Sequence, residues 1–359
     1  MTAPGEHDRP AIPVLEVEGD WVIAALERSL PRLHALLDLA TRRVPGSALR
    51  LADAASRRWL EQHRAPRLAE IDRVAAIVGR PGAYFFNVSY EWGCTSRAAP
   101  AADGAGAELL RVLDWPDPGL GRHVMALVIH SPAGPWLTLT WPGYVGALQG
   151  MAPGRFSAAL NQAPLEGPTG IRALDWAATR RAVWRRPHPP AAHLLRRVFE
   201  TAPDYATARR LLSETPIAAG AIFTLAGTVA EESCVIERRP EASHLRDGPA
   251  AAANAWTAPG WRGRARGMEN TERREMMAAL APRPETDAAG SFDWLRPPLL
   301  NDRTRLVFRA NAASGAYAAR GYERDGPATA PLHGRLQAGP PTAGGASRSG
   351  PPRGTPGKG

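Results

Sequence analysis

A cysteine directly after a glycine is the residue of this sequence best suited to nucleophilic chemistry. Cys94 follows Gly93 at the end of the aromatic stretch FFNVSYEW and begins the sequence CTS. A thiol attacks a carbonyl only when a base takes its proton, and no histidine lies near Cys94 in the sequence. Cleavage of the peptide bond before Cys94 would give it a free α-amine with a pKa of about 8. One residue would then carry both the thiol and its base.

The residues around the cysteine strengthen this interpretation. Glycine before the thiol adds no side chain against its own carbonyl and tolerates a strained backbone. By itself the Gly-Cys pair is a weak signal, because a small buried cysteine at a strand end is the commoner case. In RVLDWP, residues 111–116, Arg111 and Asp114 lie on a predicted strand that can pair beside Cys94. A buried Arg–Asp pair near the thiol would bind the amine and lower the thiol pKa.

These motifs resemble the N-terminal-nucleophile amide hydrolases, a family that includes acid ceramidase, N-acylethanolamine acid amidase, choloylglycine hydrolases and penicillin V acylases. The resemblance covers residues 80 to 325 and is most specific in NVSYEWGCTS followed by RVLDWP. Further matches in the same order are WPGYVGALQGMAPGRFSAALNQAP, TPIAAGAIFTLAGT, AANAW and ENTERRE. The resemblance implies an α+β fold, a four-layer αββα sandwich with a small helical segment at the N-terminus.

The resemblance also implies roles for the residues at the cleavage site. Cys94 matches the family's nucleophile, and its freed amine matches the base. Arg111 and Asp114 match the pair that positions this residue. Gly93 supplies the carbonyl at which the precursor cuts itself.

Two later segments supply the rest of the implied site. Asn254 in AANAW matches the oxyanion-hole asparagine, whose amide N–H stabilises a tetrahedral intermediate; the alternative is a turn residue. Arg273 in TERRE matches an arginine that supports the site, with Arg274 as the other register and a solvated helix charge as the alternative. Gln162 stands where acid ceramidase has a glutamate, so it supplies no negative charge. Asn161 beside it is a candidate to hydrogen-bond an intermediate.

The implied activity is cleavage of a linear, non-peptide C–N bond in an N-acyl amide through a thioester on Cys94, with no metal or organic cofactor. The expected substrate is a small, lipid-like acyl amide, because Trp136, Trp141 and Tyr144 lie in a segment that flanks the acyl pocket of relatives. The alternative for these three residues is the core. Two other functions stay open: an acyltransferase that passes the same acyl group to an amine, and a silent lipid- or peptide-binding module.

Composition argues against other classes of function. The net charge of +9 is scattered among acids, except for four cations in residues 334–359, so no basic groove for nucleic acid is expected. The N-terminal residues include acids and prolines, and no run of 18 apolar residues follows, which predicts a cytoplasmic, soluble protein. Cys94 and Cys234 are expected to be free thiols, with Cys234 as packing. The spacing of the histidines at 123, 130, 188 and 193 does not indicate a metal site.

Four segments are expected along the chain: a flexible leader at 1–19, a helical segment at 20–93, the catalytic domain at 94–333 and a disordered basic tail at 334–359. After self-cleavage the helical segment would be a small subunit that stays associated. Its two amphipathic helices either contact a bilayer or cover a sheet. The patterns predict helices at 21–43, 52–78, 191–200 and 205–213, and strands at 83–90, 109–113, 123–130, 135–141, 156–161, 221–226 and 233–238.

Overall fold

The helices and strands are seen in a computed structural model, which describes residues 9–42, 44–88, 92–167, 169–282 and 292–339. The helices are α1 (Trp21–Ala40), α2 (Gly46–Gln62), α3 (Leu68–Val78), α4 (Ala83–Val88), α5 (Leu120–His123), α6 (Arg172–Trp184), α7 (Ala191–Thr201), α8 (Tyr205–Glu214) and α9 (Asn270–Ala278). The strands are β1 (Val14–Glu18), β2 (Gly93–Pro100), β3 (Ala107–Asp114), β4 (Met125–Ser131), β5 (Gly134–Thr140), β6 (Gln149–Ala152), β7 (Phe156–Gln162), β8 (Ala221–Ala226), β9 (Ser233–Arg238), β10 (Ser243–Asp247), β11 (Ala250–Ala252), β12 (Thr304–Asn311), β13 (Ala316–Glu323), β14 (Gly326–Pro327) and β15 (Leu332–Arg335).

The strands form two sheets. Sheet A has the order β1-β4-β5-β6-β7-β8-β9-β10, and sheet B has the order β11-β2-β3-β12-β13-β14, with β15 also paired to β13. Strand β1 runs parallel to β4, whereas β2 and β3, which carry the predicted site, are antiparallel. Strands β3, β7, β8, β9 and β12 are buried along their whole length. Such burial requires cover on both faces of each sheet.

The two sheets pack face to face between two layers of helices. Strand β2 of sheet B contacts β7 and β8 of sheet A, so the inner faces of the sheets meet. Helices α7 and α8 cover sheet A, and α9 packs on β2 and β11 of sheet B. The structure therefore confirms the α+β four-layer sandwich that the motifs implied.

The N-terminal helices agree with the sequence patterns in most respects. Helix α1 changes direction at Ser29, whose φ of −134° and ψ of 18° are not helical, two residues before Pro31. Proline has no amide hydrogen and clashes with the preceding turn, which accounts for this kink. The second predicted helix is divided into α2 and α3 around Pro66. Within the described residues, no helix is long and apolar enough to cross a membrane.

The strand predicted at 83–90 is wrong, because residues Ala83–Val88 form helix α4. The carboxylate of Asp53 accepts hydrogen bonds from the backbone N–H groups of Gly82 and Phe85, which stabilises the first turn. The Asn87 side chain donates to the carbonyl of Ala83 within the same helix. These side-chain bonds outweigh the strand preference of the aromatic residues. Residues 89–91 lie outside the described part of the chain.

The predicted leader and tail both contain ordered strands. Residues Val14–Glu18 form β1, which pairs with β4, so the prediction of a loose leader is wrong for this stretch. At the other end, β15 includes residues 334 and 335 and pairs with β13, so the predicted tail does not begin at 334. Residues 1–8 and 340–359 lie outside the described part of the chain.

A buried ion-pair network joins the chain before Cys94 to helix α7 after it. The guanidinium of Arg196 lies 2.7 Å from Glu70 Oε2 and 2.7 Å from Glu200 Oε1, and its Cζ lies 4.2 Å from the ring centroid of Trp21. Glu200 also accepts from Arg67 at 2.5 Å. Three of these five side chains precede Cys94, so the network does not depend on an unbroken chain.

Candidate active site

Gly93 and Cys94 begin the central strand β2. In the register of β2 and β3, Gly93 lies opposite Asp114, and Ser96 lies opposite Arg111. Because side chains alternate along a strand, Cys94 and Arg111 point to the same face of sheet B, towards sheet A. Asp114 lies three residues from Arg111 and therefore belongs to the other face.

The Arg111 guanidinium is held against the cysteine thiol. Its Nη2 lies 2.8 Å from Cys94 Sγ and donates to the carbonyl oxygen of Leu160 at 2.8 Å. Its Nη1 donates to the carbonyl of Leu148 and to Gln149 Oε1. Arg111 is fully buried, and none of the ion pairs in the described residues gives it a carboxylate partner. A Cys94 thiolate would therefore be the anion that compensates this buried cation.

Asp114 pairs with Arg273 and not with Arg111, so the predicted Arg111–Asp114 pair is wrong. Asp114 Oδ2 lies 2.5 Å from Arg273 Nη1, and Oδ1 accepts from the Thr304 hydroxyl at 3.0 Å. Arg273 reaches Asp114 from α9, which covers the outer face of sheet B. The alternating directions of side chains on β3 separate the two predicted partners.

Of the two registers considered in TERRE, the structure places Arg273 at the site. The Arg273 side chain is 3% exposed. The Arg274 side chain is 33% exposed and lies 3.9 Å from Glu275. The supporting arginine and the solvated helix charge are therefore neighbouring residues of the same helix.

Asn254 contacts the backbone nitrogen of Cys94. Its Oδ1 accepts from Cys94 N at 2.7 Å, and its Nδ2 donates to the carbonyl of Gln162 at 2.8 Å. The asparagine is fully buried just after β11. In the uncut chain its amide oxygen thus faces the atom that cleavage would turn into the α-amine. Its role as an oxyanion donor stays a prediction, since the amide nitrogen is engaged by Gln162.

Asn270 and Glu237 hold the loop of Asn254, and the sequence analysis did not identify either. Asn270 Oδ1 accepts from the backbone nitrogen of Asn254 at 2.8 Å and lies 3.3 Å from Arg273 Nη2. The buried Glu237 carboxylate accepts from the backbone nitrogens of Thr257 and Ala258, just beyond Asn254. Asn270 stands one helical turn before Arg273. This spacing in the sequence could have indicated that both side chains lie on the same face of the helix. No pattern in the local sequence could have indicated the role of Glu237, because its bonding partners are some 20 residues away.

Gln162 and Asn161 contribute in different ways. Gln162 supports Asn254 through its backbone carbonyl, and this contact is independent of the Gln162 side chain. The amide nitrogen of Asn161 donates to Ser96 Oγ at 2.8 Å and to the carbonyl of Ala252 at 3.2 Å. Asn161 therefore links the two sheets, and its nitrogen is already occupied. The suggested hydrogen bond from Asn161 to an intermediate stays a prediction.

The prediction of a lowered thiol pKa is wrong for the uncut chain. Complete burial raises the pKa of Cys94 above its ordinary value, and the nearby Arg111 guanidinium offsets only part of that rise. Burial also raises the pKa of Asp114, with Arg273 acting in the opposite direction. The thiol of the uncut chain therefore needs a base before it can attack a carbonyl.

A cavity of about 970 Å³ lies beside Gly93. Its apolar wall includes Trp92, Leu165, Trp176 and Met268. A volume of several hundred Å³ with mainly apolar lining is typical of a site for a small organic molecule. The residue before the predicted cut is therefore accessible to a ligand, although Cys94 itself is fully buried.

Gly93 is not required by its backbone conformation. It is absent from the glycines of the described chain that have positive φ. A Cβ added there would lie 3.5 Å from Asn254 Oδ1 and 3.5 Å from Asp114 Cβ, which are ordinary contacts. The suggestion of a strained glycine before the thiol is therefore wrong, and only its small side chain remains as a reason for its presence.

Trp136, Trp141 and Tyr144 are core residues, so their assignment to the substrate pocket is wrong. They are at most 3% exposed and do not line the cavity beside Gly93. Trp136 stacks on Phe199 of α7 with ring centroids 4.9 Å apart. Trp141 donates its indole N–H to the carbonyl of Leu120 at 2.8 Å. The segment is aromatic because it fills the space between sheet A and its helices.

Both cysteines are free thiols, and Cys234 is buried in β9 as expected for packing. Burial raises the pKa of Cys234 to about 11, so this thiol is unreactive at neutral pH. In the described ranges, no group of three or more His, Cys, Asp or Glu side chains is placed to hold a metal ion.

Comparison with known proteins gives several relatives. Acid ceramidase of Pan troglodytes is 36% identical over 100 residues, and that of Homo sapiens is 36% identical over 100 residues; each match covers 28% of this chain and 24% of the relative. The chain thus matches about a quarter of the length of these relatives. No family model matches the chain.

Comparison with solved structures gives weaker similarities. A Caenorhabditis elegans ortholog of N-acylethanolamine-hydrolyzing acid amidase has a TM-score of 0.48 and 19% identity, with 61% of this chain and 93% of that chain covered. A mutant of conjugated bile acid hydrolase from Clostridium perfringens has a TM-score of 0.41 and 12% identity, with 68% and 92% covered. Over these 100 residues the chain is similar in sequence to the acid ceramidases.

Proposed function

We propose that this relative of the acid ceramidases is an amide hydrolase that matures by cutting its own Gly93–Cys94 bond. The observation that carries the proposal is the buried arrangement around Cys94. The Arg111 guanidinium lies 2.8 Å from the thiol, and the Asn254 amide oxygen lies 2.7 Å from the backbone nitrogen. A thiol that uses its own α-amine as base needs an anion-stabilising group and an acceptor that orients the amine.

Maturation follows from the chemistry of the thiol. The Cys94 sulfur attacks the Gly93 carbonyl carbon, and the bond between that carbon and the Cys94 nitrogen breaks. The thiol proton passes to that nitrogen, so the step leaves a thioester between Gly93 and the sulfur and a free α-amine on Cys94. Water then hydrolyses the thioester, which gives a Gly93 carboxylate and a free thiol. Movement of the new chain end at Gly93 opens the buried thiol to the adjoining cavity.

The mature site would cleave a substrate amide by the same bond changes. The α-amine takes the thiol proton, and the thiolate attacks the amide carbon. The C–N bond breaks as the protonated α-amine gives its proton to the leaving amine, and water releases the acyl group from the thioester. Arg111 stabilises the thiolate, and Asn254 orients the amine. The apolar wall of the cavity supports an acyl amide with a lipid-like acyl group.

The two fragments are proposed to stay together after the cut. Strand β1 remains paired with β4, and the Arg196 network still joins Glu70 to helix α7. Such charge-assisted contacts in a buried place hold two chains in a defined arrangement. We further propose that the protein contacts a membrane peripherally and that it is located in the cytoplasm.

The proposal is tested with purified protein after incubation under maturing conditions. We expect mass spectrometry to show fragments 1–93 and 94–359, and the mature protein to release a carboxylic acid from one or more of N-acylethanolamines, ceramides, penicillin V and acyl amino acids. Addition of an amine acceptor distinguishes hydrolysis from acyl transfer, which would give a new amide. A chain that stays whole yet cleaves amides would contradict the mechanism, and a mature chain without hydrolysis of any of them would contradict the activity.

Substitution of Asn254 is expected to separate its two roles. Asn254→Ala removes the contact with the Cys94 nitrogen and should lower kcat/KM by about 100-fold, a magnitude typical for loss of one polar group in such a site. Asn254→Asp keeps an oxygen acceptor for the amine but removes the amide donor. If the asparagine orients the amine, Asn254→Asp retains most of the activity and shifts its pH optimum upward, because a carboxylate raises the pKa of an ammonium.

The comparison is made on fully matured protein with one amide substrate across a range of pH. An Asn254→Asp protein as inactive as Asn254→Ala at every pH would contradict the orienting role and favour the oxyanion role. Asn311→Ala is the control for loss of a buried asparagine, since the Asn311 side chain donates to the carbonyl of Ala105 and does not line the cavity.

A further inference from the structure

The segment that carries Asn254 begins where the chain crosses from sheet A to sheet B. Strand β10 of sheet A ends at Asp247, and Gly248 and Pro249 connect it to β11 of sheet B. Gly248 has a φ of 85°, a left-handed conformation that suits glycine. Asn254 follows two residues after the end of β11. The side chain that contacts the Cys94 nitrogen therefore lies on a loop close to both sheets.

Glu237 of β9 holds the loop just after Asn254. Its Oε2 accepts from the backbone nitrogens of Thr257 at 2.9 Å and Ala258 at 3.0 Å. Its Oε1 accepts from the Thr257 nitrogen at 3.0 Å and from the Thr257 hydroxyl. Glu237 is 1% exposed. Three donors from two neighbouring residues thus meet at one buried carboxylate.

Arg246 of β10 holds the chain just before Asn254. Its Nη2 donates to the carbonyl of Ala251 at 2.9 Å, and its Nε lies 3.7 Å from Glu237 Oε1. Glu237 lies opposite His244 in the register of β9 and β10, so Arg246, two residues further on, points to the same face of sheet A. Two neighbouring side chains of sheet A therefore bond to the chain on either side of Asn254.

Stability alone is a poor reason for a carboxylate at position 237. A buried charge costs desolvation free energy, and the Arg246 Nε at 3.7 Å is too far for a hydrogen bond. Apolar residues of similar volume are often as stabilising as a buried ion pair. The proposed reaction, in contrast, depends on the 2.7 Å contact between Asn254 Oδ1 and Cys94 N, and small displacements of a reacting group cost a large factor in rate.

We infer that Glu237, assisted by Arg246, is a positioning residue that sets the place of Asn254 beside the Cys94 nitrogen. The inference rests on the proposed function. Glu237 bonds to the loop and is not part of the lining of the cavity beside Gly93. It therefore acts on the reaction through Asn254, and its loss slows the chemical steps without weakening the binding of substrate.

Glu237→Gln in the matured protein tests the inference. The substitution places an NH₂ group against backbone N–H donors, so part of the bonding to Thr257 and Ala258 is lost. With one amide substrate, we expect kcat to fall about tenfold and KM to stay unchanged. In an Asn254→Ala background the same substitution should cause no further loss, because the contact that it supports is already absent.

Glu108→Gln is the matched control for loss of a buried carboxylate. Glu108 bonds to Arg309 at the opposite end of β3 from Asp114. This protein should keep the kcat of the unsubstituted enzyme. A raised KM with unchanged kcat in Glu237→Gln, a tenfold loss that recurs in the Asn254→Ala background, or an equal loss in Glu108→Gln would each overturn the inference while leaving the hydrolase intact.

Arg246→Met gives a second variant if Glu237→Gln does not fold. It is the milder change, because the Arg246 side chain is 28% exposed, and it removes the bond to the Ala251 carbonyl. A lower kcat that is absent in the Asn254→Ala background supports the inference. An unchanged kcat, or a loss of the same size in both backgrounds, overturns it.

Failure of the proposed function has a separate signature. If the unsubstituted protein cleaves no amide, amide hydrogen exchange is measured on whole chains in a Cys94→Ala background, with and without Glu237→Gln. The backbone N–H of residue 94 is bonded to Asn254 Oδ1. Faster exchange at residue 94 as well as at residues 257 and 258 supports the inference even without hydrolysis. Faster exchange confined to residues 257 and 258, or no change at any of the three, overturns it.

Discussion

Replacement of Cys94 by alanine is expected to leave the chain whole and to abolish amide hydrolysis. The thiol is the attacking atom in both maturation and turnover, and the described site has no second thiol bonded to Arg111. Loss of a nucleophile that acts with a linked base typically costs several orders of magnitude in kcat. A denaturing gel should show one band of 38.4 kDa for Cys94→Ala and two bands for the unsubstituted protein.

Cys234→Ala is the control for loss of a thiol. Cys234 is buried in β9, and its raised pKa keeps it protonated near neutral pH. This protein should still mature and hydrolyse amides, with a modest loss of stability from the removed sulfur. A Cys94→Ala chain that is cut between residues 93 and 94, or that hydrolyses amides at the normal rate, would contradict the role of the thiol.

The core strands were predictable because their signals are local. Residues Phe156–Gln162 and Ala221–Ala226 are short apolar runs bounded by turns, and each is a strand where the pattern placed one. Helix α8 begins after Asp204, whose carboxylate accepts from Thr207 N. Such features depend on neighbours only a few residues away, which a single sequence contains.

The errors share a different cause, which is dependence on distant residues. Strand β1 exists because β4 provides a parallel partner more than 100 residues later. Helix α4 is stabilised at its start by Asp53, about 30 residues earlier, against the strand preference of its aromatic residues. Neither partner can be recognised from the local sequence.

In the candidate site, the sequence predicted which residues come together but not which of them bond to each other. The motifs placed Cys94, Arg111, Asp114, Asn254 and Arg273 together, and the structure brings all five into one buried cluster. The pairing of Asp114 was predicted wrongly, because its partner lies 159 residues away on α9. Motif matches indicate which residues meet, whereas the faces of β3 and α9 decide which atoms bond.

Removal of the Arg273 guanidinium is expected to destabilise the uncut chain by about 3 to 5 kcal/mol at neutral pH. Arg273→Met leaves the Asp114 carboxylate buried without its cation, and a buried unpaired charge is costly. Burial already raises the pKa of Asp114, and loss of Arg273 raises it further. Urea denaturation in a Cys94→Ala background measures the free energy of unfolding on chains that are all whole.

The way in which the destabilisation of Arg273→Met changes with pH tests whether the unpaired Asp114 charge causes it. Because the pKa of Asp114 is higher in the folded than in the unfolded chain, the folded chain binds the extra proton, and stability increases as pH falls through the folded pKa. Protonation removes the unpaired charge, so the deficit of Arg273→Met should be smaller at pH 5 than at pH 7.5. Adding Asp114→Asn should likewise recover part of the loss, because the double substitution leaves no unpaired carboxylate at position 114.

Arg274→Met tests whether the position on α9 matters. Arg274 is a third exposed and lies 3.9 Å from Glu275, so its loss should change the free energy of unfolding by no more than about 0.5 kcal/mol at either pH. Equal deficits for Arg273→Met at pH 5 and pH 7.5 would mean that lost packing, and not an unpaired Asp114 carboxylate, causes the destabilisation. In that case the pair would support the site only by filling space between β3 and α9, and the Asp114 carboxylate would not need its cation.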